Sequence, residues 1–181
     1  MNSSRIALAL LCALALLGCT TQEYDGSRIG KTSEWTVTRI IDGDTLVAEK
    51  DGITEHVRLL GVDFPDTTTN RIGKWLDMGL SEDRVHTCHS QGIEDVRKML
   101  QGQKVNLTTD SSQRDKDKYG RLLRYVELGS SEQDLGAWLI ISGYAIRLAE
   151  YPCHKCDEYG DTEFRTKEMM RGCLWAVEEE K

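Results

Sequence analysis

Residues 42–66 read Asp42-Gly43-Asp44-Thr45, then Leu46-Val47-Ala48-Glu49-Lys50, a second turn pair at Asp51-Gly52, and His56-Val57-Arg58-Leu59-Leu60-Gly61-Val62-Asp63-Phe64-Pro65-Asp66 at the end. Two Asp-Gly pairs set between alternating apolar runs are the strongest short-range sign of β-hairpins. The stretch therefore predicts a three-stranded meander over residues 35–41, 45–49 and 54–60. Asp44 falls just past the first turn, and Asp63 and Asp66 fall just past the third strand. A strand is only about 17–20 Å long, and twist brings strand ends together. Three carboxylates and Arg58 are thus expected at one rim of a small sheet. Carboxylates gather where a cation or a proton offsets their repulsion. The rim is a candidate metal site, with an arginine beside it for an anionic group.

Upstream, the chain opens on a short polar segment with one positive charge, Arg5, followed by twelve apolar residues, 6–17, and the small residue Gly18 before Cys19. This layout is that of an export signal, and the run is too short to span a bilayer. Leu16-Leu17-Gly18-Cys19 also resembles the lipobox of bacterial lipoproteins, in which the cysteine becomes the lipidated N-terminus. The expected organisation is a signal peptide over 1–19, a tether over 20–34 and one domain over 35–177. Lipid on Cys19 would hold an otherwise soluble domain at a membrane of the cell envelope, periplasmic or on the outer face. Without Arg5, 22 basic residues face 30 acidic ones, a net charge of −8. Such a balance argues against a general nucleic-acid coat protein, which carries a basic field. An enzyme with a locally basic cleft around a cation remains compatible with it.

Downstream of the meander, residues 67–89 are polar, with a short helix expected around 74–79. Ser90 is the expected N-cap of a helix whose stripe is Ile93, Val96, Met99 and Leu100, stopping at Gly102. Strands are expected over 104–108 and 122–128, with a charged loop between them. Ser131-Glu132-Gln133-Asp134 has the pattern of a capping box for a helix carrying Leu135, Trp138 and Leu139. A short extended piece follows at 145–148, and Asp161 or Thr162 is the expected cap of a last helix. Five short strands with a helix between the third and fourth predict an α+β, mainly β fold, a five-stranded OB-type barrel with about three helices. Closure protects the edges of strands this short.

Four cysteines follow the leader: Cys88, Cys153, Cys156 and Cys173. In an exported chain an even set reads as two disulfides, for instance Cys88 to one member of the 153/156 pair and Cys173 to the other. The alternative is a structural zinc site, since Cys153-His154-Lys155-Cys156 has ligand spacing and His86, Cys88 and His89 offer further donors.

Three pieces in order resemble the staphylococcal nuclease-like (thermonuclease) domain: Ile41-Asp42-Gly43-Asp44-Thr45, Val57 through Asp66, and Asp117-Lys118-Tyr119-Gly120-Arg121. The closing Leu174-Trp175 agrees as well, so the resemblance runs over most of residues 35–175. It implies an OB barrel and calcium-dependent hydrolysis of DNA and RNA phosphodiesters. Position by position, it makes Asp44 and Asp63 the calcium carboxylates and the Phe64 carbonyl a third ligand, with Asp42 in the outer shell. Arg58 and Arg121 would grip the scissile phosphate. Asp66 stands where the family has its general-base glutamate, one methylene longer. Lys118 and Tyr119 would meet a neighbouring phosphate or base, and Tyr151 is the nearest candidate for a further nucleotide contact.

The chemistry is intelligible from the residues themselves. Calcium takes about six to eight oxygen ligands, which two Asp, a carbonyl, waters and a phosphate oxygen supply. Guanidinium forks stabilise charge that develops on a phosphoryl group. A misplacement of about 1 Å can cost roughly 100-fold in rate, so Asp66 sets an expectation of weak activity. A non-catalytic OB-fold binder of nucleic acid is the second reading, and a structural envelope protein built around its cysteines is the third. The expected partners are a DNA or RNA substrate and, through Cys19, a membrane. No protein partner is inferred, and a monomer is expected.

Overall fold

The computed structural model describes residues 29–129 and 131–176. The leader, and Cys19 with it, lies outside the described residues. Seven strands and five helices follow one another as β1 Ile29–Asp42, β2 Thr45–Lys50, β3 Ile53–Leu59, β4 Val62–Asp63, α1 Gly73–Asp77, α2 Glu82–Leu100, β5 Lys104–Asp110, β6 Leu122–Leu128, α3 Leu135–Ile141, β7 Ile146–Arg147, α4 Cys156–Glu168 and α5 Gly172–Trp175. Three of the helices have seven residues or more, and two further short ones accompany them.

Five strands close into a barrel in the order β1-β2-β3-β6-β5. The closing element is β1, which pairs with β5 along Ile29–Thr36 and with β2 along Thr36–Asp42. Two register shifts on the β2 side, between Val37 and Arg39 and between Ile40 and Asp42, bend the strand, as bulges do. Residues 29–34 thus belong to the barrel rather than to the expected tether. Their side chains alternate too weakly in hydrophobicity to read as a strand, yet Thr32, Ser33 and Glu34 pair with Thr108, Leu107 and Asn106. β3 and β6 run parallel, with Val57 opposite Leu122. The Asp51-Gly52 turn has positive φ at both residues, 50° and 76°, the backbone of a type I′ hairpin.

The barrel core gathers Val37, Leu46, Val57, Leu59, Val105 and Leu107, with Val96 and Leu100 of α2, Leu139 of α3 and Tyr159 of α4 closing its ends. A second, smaller cluster holds Trp75, Val85, Cys88, Ile146 and Leu174. Helix α2 begins at Glu82, capped by Ser81, whose Oγ accepts from Arg84 N at 3.3 Å. The expected N-cap at Ser90 is therefore nine residues late. The first two turns bury only Val85 and Cys88, too narrow a stripe to signal a helix by periodicity. The N-cap of α3 is Asp134, accepting from Ala137 N at 2.8 Å, and α4 starts at Cys156 rather than near Asp161.

The expected cross-pairing of cysteines is replaced by Cys88–Cys173 and Cys153–Cys156. Packing decides this: Cys88 on α2 and Cys173 on α5 meet with Cα atoms 5.6 Å apart, within bonding range. With all four sulfurs in S–S bonds, no thiolate is left for zinc, and that alternative is withdrawn.

Candidate active site

The first hairpin closes with Asp42 opposite Thr45, which puts Gly43 and Asp44 in the turn itself. Asp44 is 6% exposed. Its Oδ1 accepts from the Thr45 hydroxyl at 2.9 Å, and its Oδ2 accepts from Phe64 N at 3.2 Å. Thr45 lies opposite Arg58 in the β2–β3 ladder, so the arginine emerges on the same face beside the turn. One guanidinium nitrogen of Arg58 lies 3.0 Å from Asp44 Oδ2 and the other 3.7 Å from Asp63 Oδ1. Asp63 is held in place by the β4–β7 pair, opposite Ile146. Its second oxygen meets Lys74 Nζ at 2.5 Å.

Arg121 arrives through the parallel β3–β6 pairing. It donates to Thr45 Oγ1 at 3.4 Å, so this hydroxyl links Arg121 to Asp44, whose other carboxylate oxygen meets Arg58. Asp117 fixes it, accepting from Arg121 Nε at 2.7 Å and from Arg121 N at 3.0 Å. Burial alone would raise the Asp117 carboxyl, but these bonds from Arg121 hold it below the usual carboxylate range. Tyr119, 65% exposed, has Lys118 Nζ 5.0 Å and the Arg121 guanidinium 5.5 Å from its ring centre, cation–π distances.

Asp66 lines the same cleft but is otherwise engaged. Its Oδ1 accepts from Thr68 N at 2.9 Å, and Arg71 stands 3.4 Å from Oδ2. Burial would raise this carboxyl, whereas the Thr68 bonds and the Arg71 charge hold it below its ordinary value. Asp42 is pushed the other way, upward, first by burial and then by the Asp44 charge.

All eight residues read from sequence as catalytic, cation-holding or substrate-binding (Asp44, Arg58, Asp63, Phe64, Asp66, Lys118, Tyr119 and Arg121) line one cleft of about 940 Å³, and Tyr151 stands on its wall. Sequence reasoning missed Lys74, Arg71, Thr45 and Asp117 as members. Asp117 had a signal, an Asp three residues before a turn glycine. Lys74 and Arg71 had none, because they reach the site from a polar stretch anchored elsewhere by Trp75, 2% exposed.

The donor set is oxygen throughout, which suits a hard cation. Arg58 and Lys74 supply positive charge beside Asp44 and Asp63. Among the described residues, no three His, Cys, Asp or Glu side chains gather closely enough to hold a metal by themselves. A cation here would rest on Asp44 and Asp63, with backbone, water and substrate oxygens completing its shell.

A closed five-stranded barrel with two acids and two arginines lining one cleft defines the protein as an OB-fold domain. The chain belongs to the staphylococcal nuclease homologue family, whose model matches residues 56–177. It is 35% identical over 174 residues to a thermonuclease of Staphylococcus hyicus, covering 94% of each chain. To a thermonuclease of Staphylococcus intermedius it is 35% identical over 127 residues, 66% of this chain and 68% of the relative. An uncharacterised protein of Methanocaldococcus jannaschii is 29% identical over 147 residues, 77% of this chain and 70% of that one.

Proposed function

We propose that the protein is an exported, calcium-dependent nuclease that hydrolyses phosphodiester bonds of DNA or RNA and is held at the cell envelope by lipid on Cys19. One observation carries the catalytic part: Arg58 bridges Asp44 and Asp63 while Arg121 reaches the Thr45 hydroxyl, itself bonded to Asp44, from the neighbouring strand. Bound at Asp44 and Asp63, calcium would polarise a phosphate oxygen. Arg58 and Arg121 then meet the charge growing on the phosphoryl oxygens, with donors already fixed by Asp117 and the barrel. Tyr119, flanked by Lys118, offers a stacking face to an unpaired base. The direct assay is cleavage of single-stranded DNA with calcium titrated in. Activity is expected to vanish with a chelator and in Asp44→Ala, and turnover unaffected by both would refute the reading. Mass spectrometry of the mature N-terminus tests the anchor: an acylated Cys19 supports it, and a free amine at another residue refutes it.

A second reading has its own observation. Asp66 is occupied by Thr68 N and Arg71, so a barrel that binds nucleic acid without cutting it accounts for a carboxylate that is not free to take a proton. Asp66→Glu separates the two. A rise of about tenfold or more in cleavage marks a working site limited by reach. Salt-dependent binding without turnover in both forms marks the binder.

A further inference from the structure

Residues 63–66 carry three of the cleft's groups: the Asp63 carboxylate, the Phe64 carbonyl and the Asp66 carboxylate. Strand pairing ends at Asp63, so the rest of the segment needs another support. The Phe64 ring, 3% exposed, supplies part of it. It lies against Gly43 of the first turn and Gly92 of α2, and a Cβ at either glycine would overlap the ring. His89, one turn before Gly92 on α2, packs its imidazole against the same ring, with centres 5.6 Å apart and planes at 46°. His89 Nδ1 also lies 2.7 Å from the carbonyl oxygen of Pro65. A carbonyl only accepts, so Nδ1 carries the proton and donates. The same nitrogen is 4.0 Å from Asp42 Oδ1, which in turn accepts from Gly43 N at 2.8 Å. One imidazole thus bonds the backbone of the Asp63–Asp66 segment and stands near the Asp42 carboxylate that holds the first turn, and it is not itself a lining residue of the cleft.

We propose that His89 is a positioning residue for the site: its Nδ1–H bond to the Pro65 carbonyl and its packing on Phe64 aim the Phe64 carbonyl and the carboxylates of Asp63 and Asp66 relative to Asp44. The leverage comes from proline. Its ring locks φ near −65°, and both flanking peptides are planar. Fixing the Pro65 carbonyl therefore leaves ψ of that residue as the single soft angle between the two planes that carry the Phe64 carbonyl and lead into Asp66. Without the bond, the segment can swing about this hinge while the barrel stays intact. The functional consequence rests on the calcium-nuclease reading, whereas the structural one rests on His89's contacts alone.

The test uses the full chain and three variants, His89→Ala, His89→Asn and His89→Gln. The Asn amide nitrogen falls where Nδ1 stands and restores the donor, while the Gln amide reaches the Nε2 position and does not. Exchange of the Phe64 amide, which donates to Asp44, reports the segment without any metal. It is expected to quicken by about tenfold in His89→Ala and His89→Gln and to return to within about threefold of the parent in His89→Asn. Calcium affinity by titration calorimetry should weaken about five- to tenfold in the same two variants, and kcat should fall by about tenfold with KM within about twofold. Equal behaviour of His89→Asn and His89→Ala, or a Phe64 amide unmoved by any variant, overturns the proposal. If the parent neither binds calcium nor cleaves, the nuclease reading fails while the amide exchange still decides the role of His89.

Discussion

The two hydrophobic clusters of this molecule are built on different terms. The barrel cluster draws on six strands and three helices, and the one disulfide that touches it, Cys153–Cys156 among the described residues, joins positions only three apart. The smaller cluster around Trp75, Val85 and Leu174 joins segments far apart in the chain, and the Cys88–Cys173 bond, spanning 85 residues, runs through it. The small cluster buries too little apolar surface to offset the entropy of ordering the polar stretch before α2. A long-range crosslink lowers that cost by restricting the unfolded chain. The barrel holds Asp44, Arg58 and Arg121, while the β4–β7 pair, whose Ile146 belongs to the smaller cluster, holds Asp63, and the polar stretch pinned by Trp75 delivers Lys74 and Arg71 to the rim. The crosslinked cluster thus reinforces one edge of the site and the barrel carries the rest.

Three experiments press on this division. The largest effect belongs to the long crosslink: Cys88→Ser with Cys173→Ser is expected to cost on the order of 4–5 kcal/mol of stability by denaturant titration. The same change at Cys153 and Cys156, which are three residues apart, should cost far less, since so short a loop has little closure entropy to lose. Equal losses would break the comparison. Next comes Arg121→Ala, with an expected drop of about 100- to 1,000-fold in kcat and a melting temperature close to the parent's. A large fall in stability instead would mean that the arginine serves the barrel rather than the reaction.

The smallest effect concerns Asp110, at the barrel end opposite Ile29. It is 4% exposed, and its Oδ2 accepts from Tyr125 at 2.6 Å and from His154 N at 2.7 Å. Burial would raise this carboxyl, but bonds from Ser112, Tyr125 and His154 hold it below its ordinary value. A carboxyl lowered on folding contributes stability above its unfolded pKa of about 3.9, and loses it as pH falls through the folded value. Asp110→Asn is expected to cost about 1–3 kcal/mol near neutral pH, with the gap to the parent shrinking below about pH 4. A gap that is constant from pH 7 to pH 3 would show that charge plays no part there.

Much of the barrel was legible because local chemistry decides it. Asp51-Gly52 sets the second hairpin, the first turns one residue later than expected on Gly43-Asp44, and the 122–128 strand has the bounds that its alternation implies. Asp44, Arg58 and Asp63 could be foreseen near one another because hairpin register leaves few alternatives. The opening strand at 29–34 was not legible, since its pairing with β5 is long-range and its residues are mostly polar. Nor was the start of α2, where a cysteine and one valine take the place of an apolar stripe. His89 carried no signal beyond a possible zinc donor and Lys74 carried none, because their partners lie 24 and 11 residues away along the chain.

The chain alone determined the turns, the strand alternation and the charges clustered around residues 42–66, all consequences of backbone sterics and side-chain periodicity over a few neighbours. Only the tertiary structure decided which cysteines bond, that β6 lies parallel to β3 and so brings Arg121 to Thr45, and that α2 backs the acidic segment with an imidazole. Those outcomes depend on which distant surfaces exclude water together, a quantity that no short window of sequence contains.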